Sequence, residues 1–319
     1  MVVVKHVSKY FGSTKAVDDI SFEVKEGENF ILLGTSGCGK TTTLRMINRL
    51  IEPTKGTISV NGADITTQSP DKLRRGIGYV LQQNGLFPHY TVAENIATVP
   101  KLMNWDKQKI VSRSKEIMQK VHLSYDSYAH CYPDQLSGGQ QQRVNVARAL
   151  AADPPVLLMD EPFGALDPVT RSNIRKEFSE LDEFKRKTIL MVTHDVQEAF
   201  ALGDKICLMD KGKIMQIGTP VELLFHPAND FVKDFLAEQY LQLALRTTTI
   251  KNIWEQLSTV TGDAAQDNAI SVDTSLWEIL ESVTKNGNKN ALIIKNDKNE
   301  LRQLKPDELL NVFNQYKNN

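Results

Sequence analysis

The chain has 319 residues, 41% of them hydrophobic, with 38 Lys plus Arg against 39 Asp plus Glu for a formal net charge of −1. That balance supplies no basic field for nucleic acid or for an anionic membrane surface, and the length suggests one large or two medium domains. No run nears the roughly 18 consecutive apolar residues of a membrane span, the start Met1-Val2-Val3-Val4-Lys5 lacks the form of a signal peptide, and the three scattered cysteines, Cys38, Cys131 and Cys207, fit reduced thiols, so a cytosolic chain is expected.

Short β-type segments come first, around Val2 to Val4 and Ile20 to Val24, with Lys9-Tyr10-Phe11-Gly12 between them. After the polar turn 25–28, Phe30-Ile31-Leu32-Leu33 reads as a buried strand that runs into Gly34-Thr35-Ser36-Gly37-Cys38-Gly39-Lys40-Thr41, with a helix expected from Thr42 to Leu50. The octapeptide meets G-x-x-x-x-G-K-[ST] at every fixed position, in the strand, loop and helix setting that the pattern needs. Its glycines let successive N–H groups turn inward to phosphate oxygens, and the following helix adds the positive end of its dipole. Lys40 is then placed for the β and γ phosphates and Thr41 for Mg²⁺, and Gly34 to Thr42 form the candidate nucleotide-binding run. Bound ATP is expected to shield Cys38 from alkylation.

Further on, Thr57 to Val60 and the turn Asn61-Gly62 read as a strand end, and Ile77 to Leu81 as a strand delivering Gln82. The sequence turns helical from about 91 to 152, an inserted helical subdomain. Val156-Leu157-Leu158-Met159 has the continuous apolar character of a strand buried on both faces, and it ends at Asp160-Glu161. Ile174, Phe178 and Leu181 recur at helical spacing, so 168–186 is expected as one helix, and Thr188 to Val192 as a buried strand ending at Thr193-His194. Strands alternating with helices in this order predict an α/β fold with a mainly parallel sheet covered on both sides. Asp160, at a strand's carboxyl end, can hold Mg²⁺ directly or through water. Glu161, pointing the other way, can orient and deprotonate a water for attack on the γ phosphate.

Leu136-Ser137-Gly138-Gly139-Gln140 opens a Gln-rich helix and makes a second helix-N-terminus anion site. Together with the phosphate loop it resembles the signature of the ATP-binding cassette (ABC) ATPases. That resemblance covers roughly residues 1–236. It implies a P-loop NTPase cassette with a mainly parallel core sheet, an antiparallel β subdomain and the helical insertion. It also implies a head-to-tail dimer, in which each ATP closes between one subunit's phosphate loop and the other's Ser137, Gly138, Gly139 and Gln140. By the same resemblance Phe11, with Tyr10 as neighbouring candidate, is the aromatic that stacks on adenine, and Gln82 is the glutamine that senses Mg²⁺ and the attacking water. Asp167, in Ala165-Leu166-Asp167, belongs to the loop that communicates between the two sites, and His194 contacts the γ phosphate.

The stretch 87–96, Phe87-Pro88-His89-Tyr90-Thr91-Val92-Ala93-Glu94-Asn95-Ile96, is similar to importer ATPases, in which this surface receives a short cytoplasmic helix of the permease. The run Asn95 to Leu102 followed by Trp105, and Pro227-Ala228-Asn229-Asp230-Phe231-Val232 followed by Asp234-Phe235, resemble the subgroup serving glycine betaine, carnitine, choline and proline betaine. The resemblance implies two transmembrane permease subunits, an extracytoplasmic solute-binding protein and a peripheral position at the cytoplasmic face of the cell membrane. No residue of this chain is expected to read the solute, since a quaternary ammonium is held by aromatic residues elsewhere in the system. An importer of another solute, such as an amino acid or polyamine, is the alternative. A soluble ABC ATPase of translation or DNA maintenance lacks support, for the chain has neither a second cassette nor a long coiled coil. Residues 237–319 are a different kind of sequence. Val272 to Leu280, Ala291 to Ile294 and Asp307 to Leu310 read as strand, helix, strand and helix, resembling one repeat of a cystathionine-β-synthase (CBS) module. Arg302-Gln303-Leu304-Lys305 stands where the family's ribose-binding Gly-x-x-Thr segment belongs, which points to a degenerate, structural or dimer-forming repeat.

Overall fold

The computed structural model describes residues 1–82, 85–260, 269–286, 291–296 and 298–317. The chain divides into two compact units, Met1–Ile217 and Gly218–Asn319. The break precedes the 236/237 boundary read from the sequence, because the helices Pro220–Phe225 and Asp230–Ala237 count with the second unit.

The first unit carries strands β1 (Val2–Phe11), β2 (Thr14–Val24), β3 (Asn29–Gly34), β4 (Lys55–Val60), β5 (Ala63–Asp64), β6 (Ile77–Val80), β7 (Val156–Asp160), β8 (Thr188–Thr193), β9 (Lys205–Asp210) and β10 (Lys213–Gly218). Six of them form a sheet in the order β10-β9-β3-β8-β7-β6. Its central strand β3 pairs in parallel with β8 and β9, and β7 pairs in parallel with β6 and β8. Every residue of β7 and β8 is buried, which is why both read as unbroken apolar runs rather than alternating ones. The other four form an antiparallel sheet, β2-β1-β4-β5. The first two strands are longer than their apolar cores suggested: the pairing reaches Phe11↔Thr14, so the 9–12 connector lies mostly inside a hairpin.

Period-two alternation separates the two faces of the parallel sheet. Phe30, Leu32, Leu158, Leu190 and Val192 join Leu44, Met46 and Ile47 of the helix Lys40–Ile47, and Val4, Val7 and Ile58 of the antiparallel sheet, in one core. Ile31, Met159, Ile189 and Met191 point to the other face, beneath the helices Pro168–Glu180, Asp182–Lys185 and Val196–Leu202. The first helix ends at Ile47, short of the expected Leu50, with Asn48 as its C-cap. The helix expected over 168–186 is also interrupted: Leu181 adopts φ −63°, ψ 120°. The break lets Phe184 meet Phe178 edge-on at 5.7 Å, whereas an unbroken helix would carry a side chain six residues on to a different face.

Between β6 and β7 the chain is helical, with Val92–Leu102, Lys107–Lys120, Tyr125–Tyr128 and Gly138–Leu150. The first is opened by a capping box of Thr91 and Glu94, and Asp106 caps the second. Among the described residues no helix is long and apolar enough to cross a membrane.

The second unit contains the helix Tyr240–Thr247 and a four-stranded sheet ordered β11-β14-β13-β12, with β11 (Ser258–Thr259), β12 (Ile270–Ser271), β13 (Leu292–Lys295) and β14 (Leu301–Leu304). Helices Leu276–Asn286 and Leu309–Lys317 follow β12 and β14. Arg302-Gln303-Leu304 is thus strand, antiparallel to β13, and the order is strand, helix, strand, strand, helix. Its core includes Leu245, Ile253, Leu276, Ile294, Leu304 and Phe313.

Candidate active site

Parallel register brings three strand ends level: Leu33 pairs with Thr193, Gly34 with Met209, and Asp160 with Val192. Side chains separated by more than a hundred residues therefore meet at the carboxyl edge of one sheet, where open α/β folds bind ligands.

The loop leaving β3 is shaped by its glycines. Gly34 has φ +151° and a Cβ there would lie 2.2 Å from the Met209 carbonyl oxygen; Gly39 has φ +105° and a Cβ would lie 2.5 Å from that of Ala16. Neither position admits a side chain. Thr35, Ser36 and Gly37 at the crest are exposed, and Thr42 is half-buried on the first helical turn. Lys40 is buried, and its Nζ donates to the carbonyl oxygens of Gly34 at 2.9 Å and Thr35 at 2.8 Å, so the ammonium sits within its own loop. Cys38 is 2% exposed, and burial pushes its thiol up despite the nearby Lys40. The loop itself therefore protects this sulfur, which corrects the expectation that ATP would be its shield.

Thr41 Oγ1 donates to Asp160 Oδ1 at 2.8 Å. Asp160 is 1% exposed, and its carboxyl is held above the usual range by burial, opposed by the Thr41 hydrogen bond and by Arg45, whose guanidinium is 4.0 Å away. Burial, with Asp160 nearby, pushes the Tyr79 phenol up to about 12. A hydroxyl and a buried carboxylate side by side are the hard oxygen donors that suit Mg²⁺, with Arg45 at the edge of ion-pair distance. One residue on, Glu161 takes φ +43°, an uncommon conformation for a side-chain-bearing residue, and its N–H donates to the Val192 carbonyl at 3.0 Å. Its Oε2 accepts from Gln82 Nε2 at 2.9 Å and lies 3.2 Å from His194 Nδ1. Gln82, Glu161 and His194 are thus one cluster beside the Thr41–Asp160 pair. The His194 turn is anchored by Thr193, whose hydroxyl donates to buried Glu198 at 2.6 Å.

Ser137 to Gln140 lie elsewhere in the pattern of contacts. Ser137 accepts from Gln140 N–H at 3.3 Å, Gln140 Oε1 accepts from Ser137 N–H at 2.9 Å, and Gln140 Nε2 donates to the Tyr128 hydroxyl. This capping box presents Ser137 and Gly138 to solvent, while Gly139 sits against Thr170 and Ile174. Asp167 is exposed and caps the helix Pro168–Glu180 by accepting from Thr170 N–H; hydrogen bonds from the Thr170 hydroxyl and then its N–H lower the Asp167 pKa. Phe11 is 50% exposed at the β1–β2 hairpin, with Lys9 Nζ 5.1 Å from its ring; Tyr10 is more covered.

Three contributors escaped the sequence reading. Asn145 donates to the Leu81 carbonyl at 3.1 Å, and Arg148 to the Gly85 carbonyl at 2.7 Å, so the helix that begins at Ser137 holds the backbone on either side of the Gln82 loop. Asn95, fully buried, donates to the carbonyls of Phe87, Tyr90 and Thr91 and accepts from Phe87 N–H, shaping a loop that exposes Phe87 and Tyr90. The available signal was a polar side chain embedded among apolar helical neighbours, which must find partners when buried.

Residues 17–164 match the family described as ABC transporter. The chain is 51% identical over 242 residues to the glycine betaine/carnitine/choline transport ATP-binding protein OpuCA of Bacillus subtilis, an alignment covering 76% of this chain and 63% of that protein, so the chain spans less than two thirds of the relative's length. It is 43% identical over 303 residues to the choline transport ATP-binding protein OpuBA of the same organism, covering 95% and 77% of the two chains. The solved dimeric structure of MJ0796, a bacterial ABC transporter cassette, superposes with a TM-score of 0.62 at 35% identity, covering 69% of this chain and 98% of that one.

Proposed function

This chain belongs to the ABC transporter ATP-binding family, and from that premise we propose that it is the ATP-hydrolysing subunit of an importer for a quaternary-ammonium osmoprotectant such as glycine betaine, carnitine or choline. The observation that carries the ATPase reading is the convergence of Thr41–Asp160 and Gln82–Glu161–His194 on the strand ends that flank the phosphate loop. The osmoprotectant assignment is supported by the likeness to OpuCA and OpuBA, which are glycine betaine/carnitine/choline and choline transport ATP-binding proteins.

On this reading the loop N–H groups and the positive end of the helix Lys40–Ile47 receive the ATP phosphates. Lys40 exchanges its two carbonyl acceptors for phosphate oxygens, which frees the Gly34 and Thr35 carbonyls and couples nucleotide entry to loop shape. Thr41 and Asp160 would hold Mg²⁺, which when bound neutralises phosphate charge. Glu161 accepts the proton of the attacking water, while Gln82 and His194 fix its carboxylate from two sides. His194, 55% exposed, is free to turn toward a γ phosphate. Phe11 offers the exposed ring on which adenine stacks. Ser137 to Gln140, with Ser137 and Gly138 exposed, and exposed Asp167 would complete the site of a second copy in a head-to-tail dimer. Phe87 and Tyr90 would face the permease, at the cytoplasmic side of the membrane. Because Asn145 and Arg148 tie the signature helix to the Gln82 loop, movement at that surface reaches both ends of the site. Residues 237–319 act as an accessory, degenerate CBS-like domain of structural use.

The test is reconstitution with the permease and solute-binding protein in vesicles, measuring ATP-driven accumulation of labelled glycine betaine, choline and carnitine beside amino acids and a polyamine. Accumulation of a quaternary ammonium alone is expected. Uptake of only an amino acid or polyamine would overturn the solute assignment, and ATP hydrolysis indifferent to every membrane partner would overturn the transport reading.

A further inference from the structure

His194 is fixed on one side by Thr193, whose hydroxyl accepts from Asp195 N–H at 3.0 Å and donates to Glu198 at 2.6 Å. On the other side Asp195 Oδ1 caps the helix Val196–Leu202, accepting from the N–H groups of Gln197 at 2.8 Å and Glu198 at 3.1 Å. The second oxygen of that carboxylate, Oδ2, faces Arg171, whose Nη1 is 3.8 Å away. The same guanidinium reaches the loop that follows Glu161: Nη2 donates to the Leu166 carbonyl at 3.0 Å and, more loosely, to that of Gly164 at 3.5 Å. Gly164 N–H in turn donates to the Glu161 carbonyl at 3.1 Å. With His194 Nδ1 3.2 Å from Glu161 Oε2, the contacts run in a closed circuit from Glu161 through Gly164 and Leu166 to Arg171, Asp195, His194 and back.

We propose that Arg171 is a positioning residue for hydrolysis: it sets where His194 stands against Glu161 according to the position of the loop 164–167. The inference rests on the ATPase reading of the Glu161 cluster, and Arg171 acts through Asp195 and His194 rather than on the nucleotide. Arg171 is the member of the circuit that joins the loop leaving β7 to the turn leaving β8. A guanidinium is a rigid plane with its donors in a fixed fork, so a shift of the Leu166 carbonyl turns the whole group and passes to Asp195. Arg171 Nε is buried and has no hydrogen-bond partner among the described residues, so the group is held by its two terminal nitrogens and is able to turn. The loop ends at exposed Asp167, on the surface assigned to a second copy. Pressure there moves the Leu166 carbonyl, the guanidinium and the His194 turn in sequence, which ties the reach of His194 to dimer closure.

ATP hydrolysis by the full chain, reconstituted with the permease and solute-binding protein in vesicles, is measured for the parent, Arg171→Gln, Arg171→Lys, Asp195→Asn and the Arg171→Gln/Asp195→Asn double variant. Asparagine still caps a helix, so Asp195→Asn removes the charge and keeps the cap. In Arg171→Gln kcat should fall about tenfold or more, the worth of a hydrogen bond to a charged group. KM for ATP should stay within about twofold, because the phosphate loop is untouched. Lysine keeps the charge without the fork, so Arg171→Lys should recover only part of the loss. The double variant should be no slower than the slower single one, since both break the same link. If Arg171→Gln fails to fold, the same cycle is run with Arg171→Lys. Parental kcat in the Arg171 variant, or losses that multiply in the double variant, overturns the proposal. A parent chain without ATP turnover removes the ATPase reading together with this inference, whereas an active parent beside an indifferent Arg171→Gln removes the inference alone.

Discussion

Glu161→Gln separates chemistry from binding. The carboxylate is 18% exposed, and a single oxygen, Oε2, carries both the Gln82 contact at 2.9 Å and the His194 contact at 3.2 Å. A glutamine has the same volume and can still accept from Gln82 through its amide oxygen, so folding stability should move by less than about 1 kcal/mol. It cannot take a proton from water. Loss of general-base catalysis is worth about 10²- to 10⁴-fold in rate, equivalent to roughly 2.7 to 5.5 kcal/mol of barrier. The groups proposed to receive the phosphates, the loop N–H groups and Lys40, and those proposed for Mg²⁺, Thr41 and Asp160, are unaltered. Saturating ATP at a hundred times Kd should therefore still stabilise the variant by about 2.7 kcal/mol. The paired assay is phosphate release under single-turnover conditions and thermal unfolding with and without ATP and Mg²⁺. Turnover within about threefold of the parent would remove Glu161 from the reaction, since the general-base contribution starts near a hundredfold. Loss of the ATP-induced stabilisation would show that the carboxylate contributes to binding.

The pH dependence of the nucleotide-free chain tests the buried carboxyls. Asp160 and Glu198 are both held above the usual carboxylate range, chiefly by burial. The folded state therefore binds protons more tightly than the unfolded one. Their contribution is fully present below the unfolded pKa near 4 and is lost as pH rises through the folded values. Asp160→Asn should make that decline shallower, melt above the parent at pH 7 but not near pH 4, and lose at least about a hundredfold in ATP turnover; equal melting points at both pH values would refute the burial account. Asn95→Ala leaves the Phe87 N–H and three loop carbonyls without their partner and should cost about 1–3 kcal/mol in urea unfolding; a change under about 0.5 kcal/mol would mean that water replaces the side chain. Among the cysteines, half-buried Cys131 should be alkylated first, with buried Cys38 and Cys207 reacting only on unfolding, with or without ATP; rapid labelling of Cys38 in the folded chain, read by mass spectrometry, would contradict its burial.

What the sequence determined by itself was local. The strand before the phosphate loop, the glycines that turn it and the helix after it are contiguous, so their chemistry is written within a dozen residues. The same holds for the Ser137–Gln140 capping box and for the Asp167 cap. The doubly buried strands β7 and β8 announced themselves because a strand covered on both faces has no polar alternation to hide in. Other features depended on contacts that sequence spacing does not encode. The break at Leu181 serves a ring contact between Phe178 and Phe184, and the polar pair Arg302-Gln303 is strand because β13 lies beside it. Cys38 is buried because of its neighbours, although its loop reads as exposed. The site itself belongs to tertiary structure. Gln82 and Glu161 are 79 positions apart and Thr41 and Asp160 are 119 apart. They meet because parallel register brings β3, β7 and β8 to a common edge, and a one-residue slip in any of those strands would turn the carboxylate or the histidine to the other face.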